Sequence, residues 1–242
     1  MLADALDYLY HKFTEANEIK TAIINGDEYS KTKLNLIRPY YPKCEKLVVH
    51  SLTMLVEMVK HELSENHAFP LIVSIRDNEF VSVYSALDPN SDRELILECS
   101  AVTPNIPFGM AVSPEQMIIQ LLTNFEQTEN CTNLQTLLSS IVVDQKVEVS
   151  DDGFTQKVTT QNGAQIKNTV TINPLVRLTP FRTFRECEQP TQMFLIRLKE
   201  NGNVYLIDAD GGSYLKHCMD NIRDYLIAQL AEEIKEGKVI VG

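Results

Sequence analysis

Base is scarce relative to acid in this chain: its 242 residues carry 22 Lys and Arg against 33 Asp and Glu, a formal charge of −11. Coating duplex nucleic acid requires many phosphate-neutralising cations, so that role is excluded, although a local basic patch is not. Acids outnumber bases in both halves of the chain, with neither a polybasic arm nor an acidic tail, which describes a solvated surface. Glycine is also scarce, at nine residues, and none builds a phosphate-cradling Gly-rich loop, a dinucleotide fingerprint or a nucleophile elbow. No cofactor is therefore expected. The apolar runs fall far short of the roughly 20 residues that cross a bilayer, so no membrane partner is expected. The five cysteines (Cys44, Cys99, Cys131, Cys187, Cys218) are odd in number, widely separated and form no Cys-x-x-Cys pair. This pattern predicts reduced, mostly buried thiols rather than a disulfide framework or zinc knuckle. The first seven residues hold Asp4 and Asp7 and no base, the wrong charge for a targeting peptide, and predict a cytoplasmic protein.

What is present reads as α+β. Leu2, Ala5, Leu6, Leu9 and Phe13 have helical spacing and predict an amphipathic helix over 2–20, ended by Asn25-Gly26-Asp27. A polar stretch and Pro39-Tyr40-Tyr41-Pro42 then read as a connector. The chain accordingly divides into an N-terminal helical arm, 1–44, and a main α+β body, 45–242. In the body, Ser51 is placed to cap a helix bearing Leu52, Leu55, Val56, Val59 and Leu63. Leu71–Ile75 and Phe80–Tyr84 flank the turn Asp77-Asn78, and Leu95–Val102 offers a third strand. Ser113-Pro114-Glu115-Gln116 has the cap, N1 proline and returning Gln of a helix start. A shorter helix holds Leu134, Leu137, Leu138 and Ile141. From Val143 the pattern turns to hairpins around Asp152-Gly153, Asn162-Gly163 and Asn201-Gly202, and a last helix opens at Gly211-Gly212-Ser213. Strands that come in hairpins predict mostly antiparallel pairing packed with amphipathic helices. An apolar stripe of about four turns is too short to be stable alone, so the arm is expected to dock on its own body or on a second copy, the latter forming a homo-oligomer.

Few segments carry chemistry. His61 and His67 lie six apart, on different helix faces, and fail the zinc-protease spacing; no metal site is expected. Asp208-Ala209-Asp210-Gly211-Gly212-Ser213 resembles an acidic cation loop, but its twelfth position is Met219 where a calcium loop needs Glu. It reads as a strand-to-helix turn capped by Ser213, with a second reading in which the amides of Gly211, Gly212 and Ser213 hold an anion. No residues are singled out as catalytic. The unusual segment is 178–190, framed by prolines and holding Phe181, Arg182, Phe184 and Arg185, with Arg197 nearby in sequence. If extended, it sends Arg182 and Phe184 one way and Phe181 and Arg185 the other. As a contact surface it pairs aromatic platforms with guanidinium forks, suited to a carboxylate, a phosphate or a stacked base. As a structural crossover its phenylalanines fill the core and its arginines pair with Glu186 and Glu188.

The stretch from Thr179 to Pro190, followed by Met193-Phe194-Leu195-Ile196-Arg197, resembles the YfdQ-like family of phage and prophage proteins. The layout of helices and hairpins over about 45–232 is similar as well, with 1–44 outside it. The resemblance implies a phage-derived protein made in the host cytoplasm and supplies no catalytic residues. Three functions follow as expectations. The first is a non-enzymatic accessory protein that binds a host or phage macromolecule, a protein of either being the expected partner. The second is a nucleic-acid or nucleotide-binding module using segment 178–190. The third is an enzyme whose site carries no recognisable motif.

Overall fold

The computed structural model describes residues 2–17, 21–24, 27–30, 35–36, 45–64, 70–142, 146–151, 156–162, 165–199 and 202–242. The chain forms two compact units, Met1–Cys44 with Asp88–Asp92, and Glu45–Leu87 with Arg93–Gly242. The first unit holds α1 (Leu2–Asn17), β1 (Thr21–Ile24), β2 (Asp27–Ser30) and β3 (Asn35–Leu36), the strands forming an antiparallel sheet in the order β1-β2-β3. This sheet corrects the expectation of a polar stretch without strands after the helix; residues 18–20 lie outside the described residues. Strands of two to four residues with mixed polarity give no alternation to detect, and the dipeptide Asn25-Gly26 suits a helix stop as well as a hairpin. Pro39–Pro42 lies outside the described residues.

The second unit runs β4 (Leu47–Val49), α2 (Leu52–Ser64), β5 (Leu71–Ile75), β6 (Phe80–Tyr84), β7 (Leu95–Ser100), α3 (Pro114–Asn124) and α4 (Glu129–Val142). It continues with β8 (Lys146–Asp151), β9 (Gln156–Asn162), β10 (Gln165–Ile172), β11 (Leu175–Leu178), β12 (Gln192–Leu198) and β13 (Val204–Asp208). It ends with α5 (Ser213–Gln229), α6 (Ala231–Lys235) and β14 (Val239–Val241). This is an α+β fold with mostly antiparallel pairing. A five-stranded sheet has the order β14-β5-β6-β7-β4, and two three-stranded sheets have the orders β10-β9-β8 and β11-β12-β13. Two pairings are parallel, β14 on β5 and β4 on β7. They escape a sequence reading because three-residue apolar runs look like helix flanks, and what holds them is long-range.

Local signals explain most of the elements. At the β5–β6 turn, Asp77 Oδ1 accepts the N–H groups of Glu79 and Phe80. Ser51 Oγ accepts the Met54 N–H to start α2. Ser113 and Gln116 close a reciprocal capping box at α3. Asp152, Gly153 and Gly163 fall outside the described residues, and Asn162 ends β9 opposite Gln165 of β10. Two apolar cores result. In the first, Leu52, Leu55, Val56 and Val59 of α2 and Ile222 and Leu226 of α5 pack with Leu71, Val73, Val81 and Val83. In the second, Met117, Leu121 and Phe125 join Leu134 and Leu138 of α4 against Phe194, Ile196 and Leu206. Each such side chain, taken fully from water, contributes about 1.5–3 kcal/mol. Cys99, Cys131, Cys187 and Cys218 are free and buried; Cys44 lies outside the described residues. Among the described residues, no helix is long and apolar enough to cross a membrane.

Candidate functional site

Segment 178–190 runs from the second core to the first. Leu178 is buried in the second core and Phe184 and Cys187 in the first, so the loop links the two. Backbone pairing fixes its entry: the Glu126 N–H donates to the Thr179 carbonyl, and the Phe181 N–H donates to the Asn124 carbonyl. Gln189, 4% exposed, folds the rest around one amide. Its Oε1 accepts the N–H groups of Arg182 (3.0 Å) and Thr183 (3.3 Å), and its Nε2 donates to the carbonyls of Phe184 and Cys187. The β5–β6 turn docks on the same loop. Asn78 Nδ2 donates to the Arg182 carbonyl at 2.7 Å, and Thr183 Oγ1 donates to the Asn78 carbonyl.

Of the four residues singled out in the segment, Arg182 and Phe184 are buried and Phe181 and Arg185 are not, but the chain does not alternate as a strand: Thr183 is buried between them, and Arg182 meets aromatics of the second core while Phe184 packs in the first. Arg182 is only 8% exposed. Its guanidinium carbon lies 4.2 Å from the ring centroids of both Phe108 and Tyr214 and 5.6 Å from that of Phe194. Nη1 sits 2.6 Å from Asp208 Oδ2, off the axis of a linear N–H···O bond, so the contact is an ion pair rather than an aligned hydrogen bond. Stacking between aromatic faces and a carboxylate at its edge compensate the guanidinium for lost water. Phe184 is buried beside it in sequence. Arg185 is exposed, and its guanidinium carbon lies 3.4 Å from the centroid of the half-buried Phe181 ring. Arg197 stands on β12 opposite Tyr205.

Neither arginine takes the glutamate partner anticipated for a crossover. Arg182 pairs with Asp208, Arg185 stacks on Phe181, and Glu186 accepts the Thr53 N–H in the first turn of α2, where a carboxylate meets the positive helix end. Phe108, Tyr214, Asp208, Asn78 and Gln189 complete the arrangement, and no sequence signal connects them to Arg182. At the start of α5 the N-cap is Gly212 rather than Ser213. Gly211 and Gly212 take φ of +66° and +83°, which an L side chain rarely adopts, and this turns the chain so that Asp210 reaches its own helix. Asp210 accepts the N–H groups of Gly212 and Tyr214 and the Ser213 hydroxyl, filling the place proposed for an external anion. Partial burial works against ionisation of Asp210, but the Gly212 N–H and the other donors outweigh it and hold its carboxyl below the usual range. Burial pushes the thiols of Cys99 and Cys187 up to about 12, with Glu186 adding to the effect. Cys218 is pushed up to about 11 by burial, offset in part by Arg182. These thiols are protonated at neutral pH and are poor nucleophiles.

Chemically, the inner half of the segment is a clamp and the outer half, Phe181 with Arg185, is a stacked cation that can meet a carboxylate or phosphate. No protein-family model matches the chain, and no curated protein or solved structure matches it either.

Proposed function

We propose that this chain is a phage or prophage accessory protein that works in the host cytoplasm by binding another protein. The observation that carries binding is α1. Leu6, Leu9 and Phe13 are 62%, 63% and 71% exposed, and Tyr8 and Tyr10 add to the uncovered surface. A 16-residue helix with its apolar stripe in water is marginal by itself, so the sequence makes most sense if a partner covers it. The likeness of 179–197 to the YfdQ-like block supports the phage origin. Affinity capture with the full chain from infected cells should recover a stoichiometric partner, or a second copy of the chain, that is lost with Leu6→Asp and Phe13→Asp together. Equal recovery by that variant would overturn α1 as the contact.

A second reading, binding of a nucleotide or single-stranded nucleic acid, is favoured by the exposed Arg185–Phe181 stack alone. Arg182 is committed to Asp208, so one cation remains in the segment for phosphate. Salt-sensitive binding of an oligonucleotide that Arg185→Ala abolishes would establish this reading.

A further inference from the structure

Beside β11 the fold begins a fourth strand and abandons it. Residues 124–126 run antiparallel to 179–181, with Phe125 opposite Pro180. After Glu126 the chain leaves this line, tied by Gln127 Nε2, which donates to the carbonyls of Leu121 and Phe125. Among the described residues the edge it would have covered stays open, since β11 ends the sheet and pairs there only with β12.

The register says which backbone groups face out. The Ile196 N–H donates to the Pro174 carbonyl, so Pro174, Val176 and Leu178 bond inward to β12. Leu175, Arg177 and Thr179 then turn their amides to the open side, in agreement with the bond from Glu126 to Thr179. Asn173 Oδ1 already accepts the Leu175 N–H. The N–H and C=O of Arg177 and the C=O of Leu175 are left to face the edge.

A groove of about 440 Å³ runs along this edge. Its far wall is one face of α4, with Asn130, Asn133, Leu134 and Leu137 at helical spacing. Its near wall includes Leu175, Val176 and Arg177. The lining has one guanidinium and no carboxylate. A row of backbone donors and acceptors is met in full only by another extended backbone, and the charge asks for an acid.

We infer that this edge takes an extended peptide segment of another protein as an added antiparallel strand, one bearing an acidic residue followed by two apolar ones. The order follows from the register in which Glu126 meets Thr179. A strand continuing that line sets its first residue opposite Arg177, its second opposite Val176 and its third opposite Leu175. The first pairs across the strands with the guanidinium. The second points to the side of Leu134 and Leu137, and the third covers Leu175, which is 48% exposed. Among the described residues, the groove is lined by no residue of α1.

The probe is a labelled, end-blocked pentapeptide, threonine–glutamate–valine–leucine–threonine, titrated by fluorescence anisotropy into the full chain. Three backbone bonds and three side chains give saturable binding with Kd of about 100 μM. Methylating the glutamate nitrogen, which removes a bond to the Arg177 carbonyl, weakens it about tenfold, as does lysine in place of glutamate. Arg177→Glu, with its fold checked by circular dichroism, reverses the preference toward the lysine peptide, and Arg185→Ala changes nothing. The proposal is overturned if no saturation occurs by about 5 mM peptide, if methylation leaves binding intact, or if the variant keeps the glutamate preference. A chain that sediments as a dimer and becomes monomeric with Arg177→Glu would assign the edge to a second copy and overturn it equally.

Discussion

Arg182 shows how one residue type takes opposite roles three positions apart. A buried guanidinium persists only where it is both stacked and charge-paired, and Phe108, Tyr214 and Asp208 supply those contacts. Arg182→Ala should therefore cost about 3 kcal/mol in urea unfolding, through lost stacking and a stranded Asp208. Arg182→Lys should recover less than half of that, because an ammonium cannot lie flat between two rings. Arg185→Ala should cost about 1 kcal/mol or less, its stack on Phe181 being at the surface. Similar losses for Arg182→Ala and Arg185→Ala would contradict the buried clamp. The burial of Arg182 and Phe184 against the exposure of Arg185 was legible in the sequence from period two, although Thr183 is buried between them. The partners were not, because Phe108, Asp208 and Tyr214 come from three separate parts of the chain.

Helices and turns obey the signals closest to them. Ser113 with Gln116 and Asp77 with Asn78 were legible because every atom of a capping box or a tight turn lies within four residues. β4 and β14 were not, because a three-residue strand is defined by the neighbour it pairs with. The start of α5 falls between these cases: the turn was legible, its cap was not. A Gly-Gly pair with positive φ moves the capping carboxylate back to Asp210, outside the usual N-cap position. Asp210→Ala should lower stability by about 1 kcal/mol at neutral pH. The folded carboxyl titrates below its ordinary value, so its contribution is present above about pH 4 and fades as pH falls through the folded pKa. The deficit of Asp210→Ala should accordingly shrink on acidification. A difference from the unsubstituted chain that stays constant between pH 7 and 3 would show that the carboxylate is not the cap.

At the scale of the whole body, the question is what makes two cores unfold as one. Each has its own helices and sheet, and segment 178–190 crosses between them, with Leu178 in one and Phe184 and Cys187 in the other. Gln189 holds that crossing together through four hydrogen bonds to the loop backbone. In Gln189→Ala, the buried N–H groups of Arg182 and Thr183 lose their acceptor, each at about 1–3 kcal/mol. The variant should be destabilised by about 2–6 kcal/mol, and its two cores should also part company. The cysteines report on this separately, since Cys131 lies in the second core and Cys99 in the first, while Cys218 is buried on α5, the helix whose Ile222 and Leu226 belong to the first. Burial keeps the native thiols protonated and out of reach, so labelling at neutral pH follows unfolding rather than native reactivity. Pulse alkylation across a urea series, read by peptide mass, should expose Cys131, Cys99 and Cys218 at one midpoint in the unsubstituted chain. In Gln189→Ala the Cys131 midpoint should move away from that of Cys99 and Cys218, with Cys187, inside the loop, labelled first. If all four still become reactive together, the cores are joined by contacts other than this loop, and the clamp stabilises the body without coupling its halves.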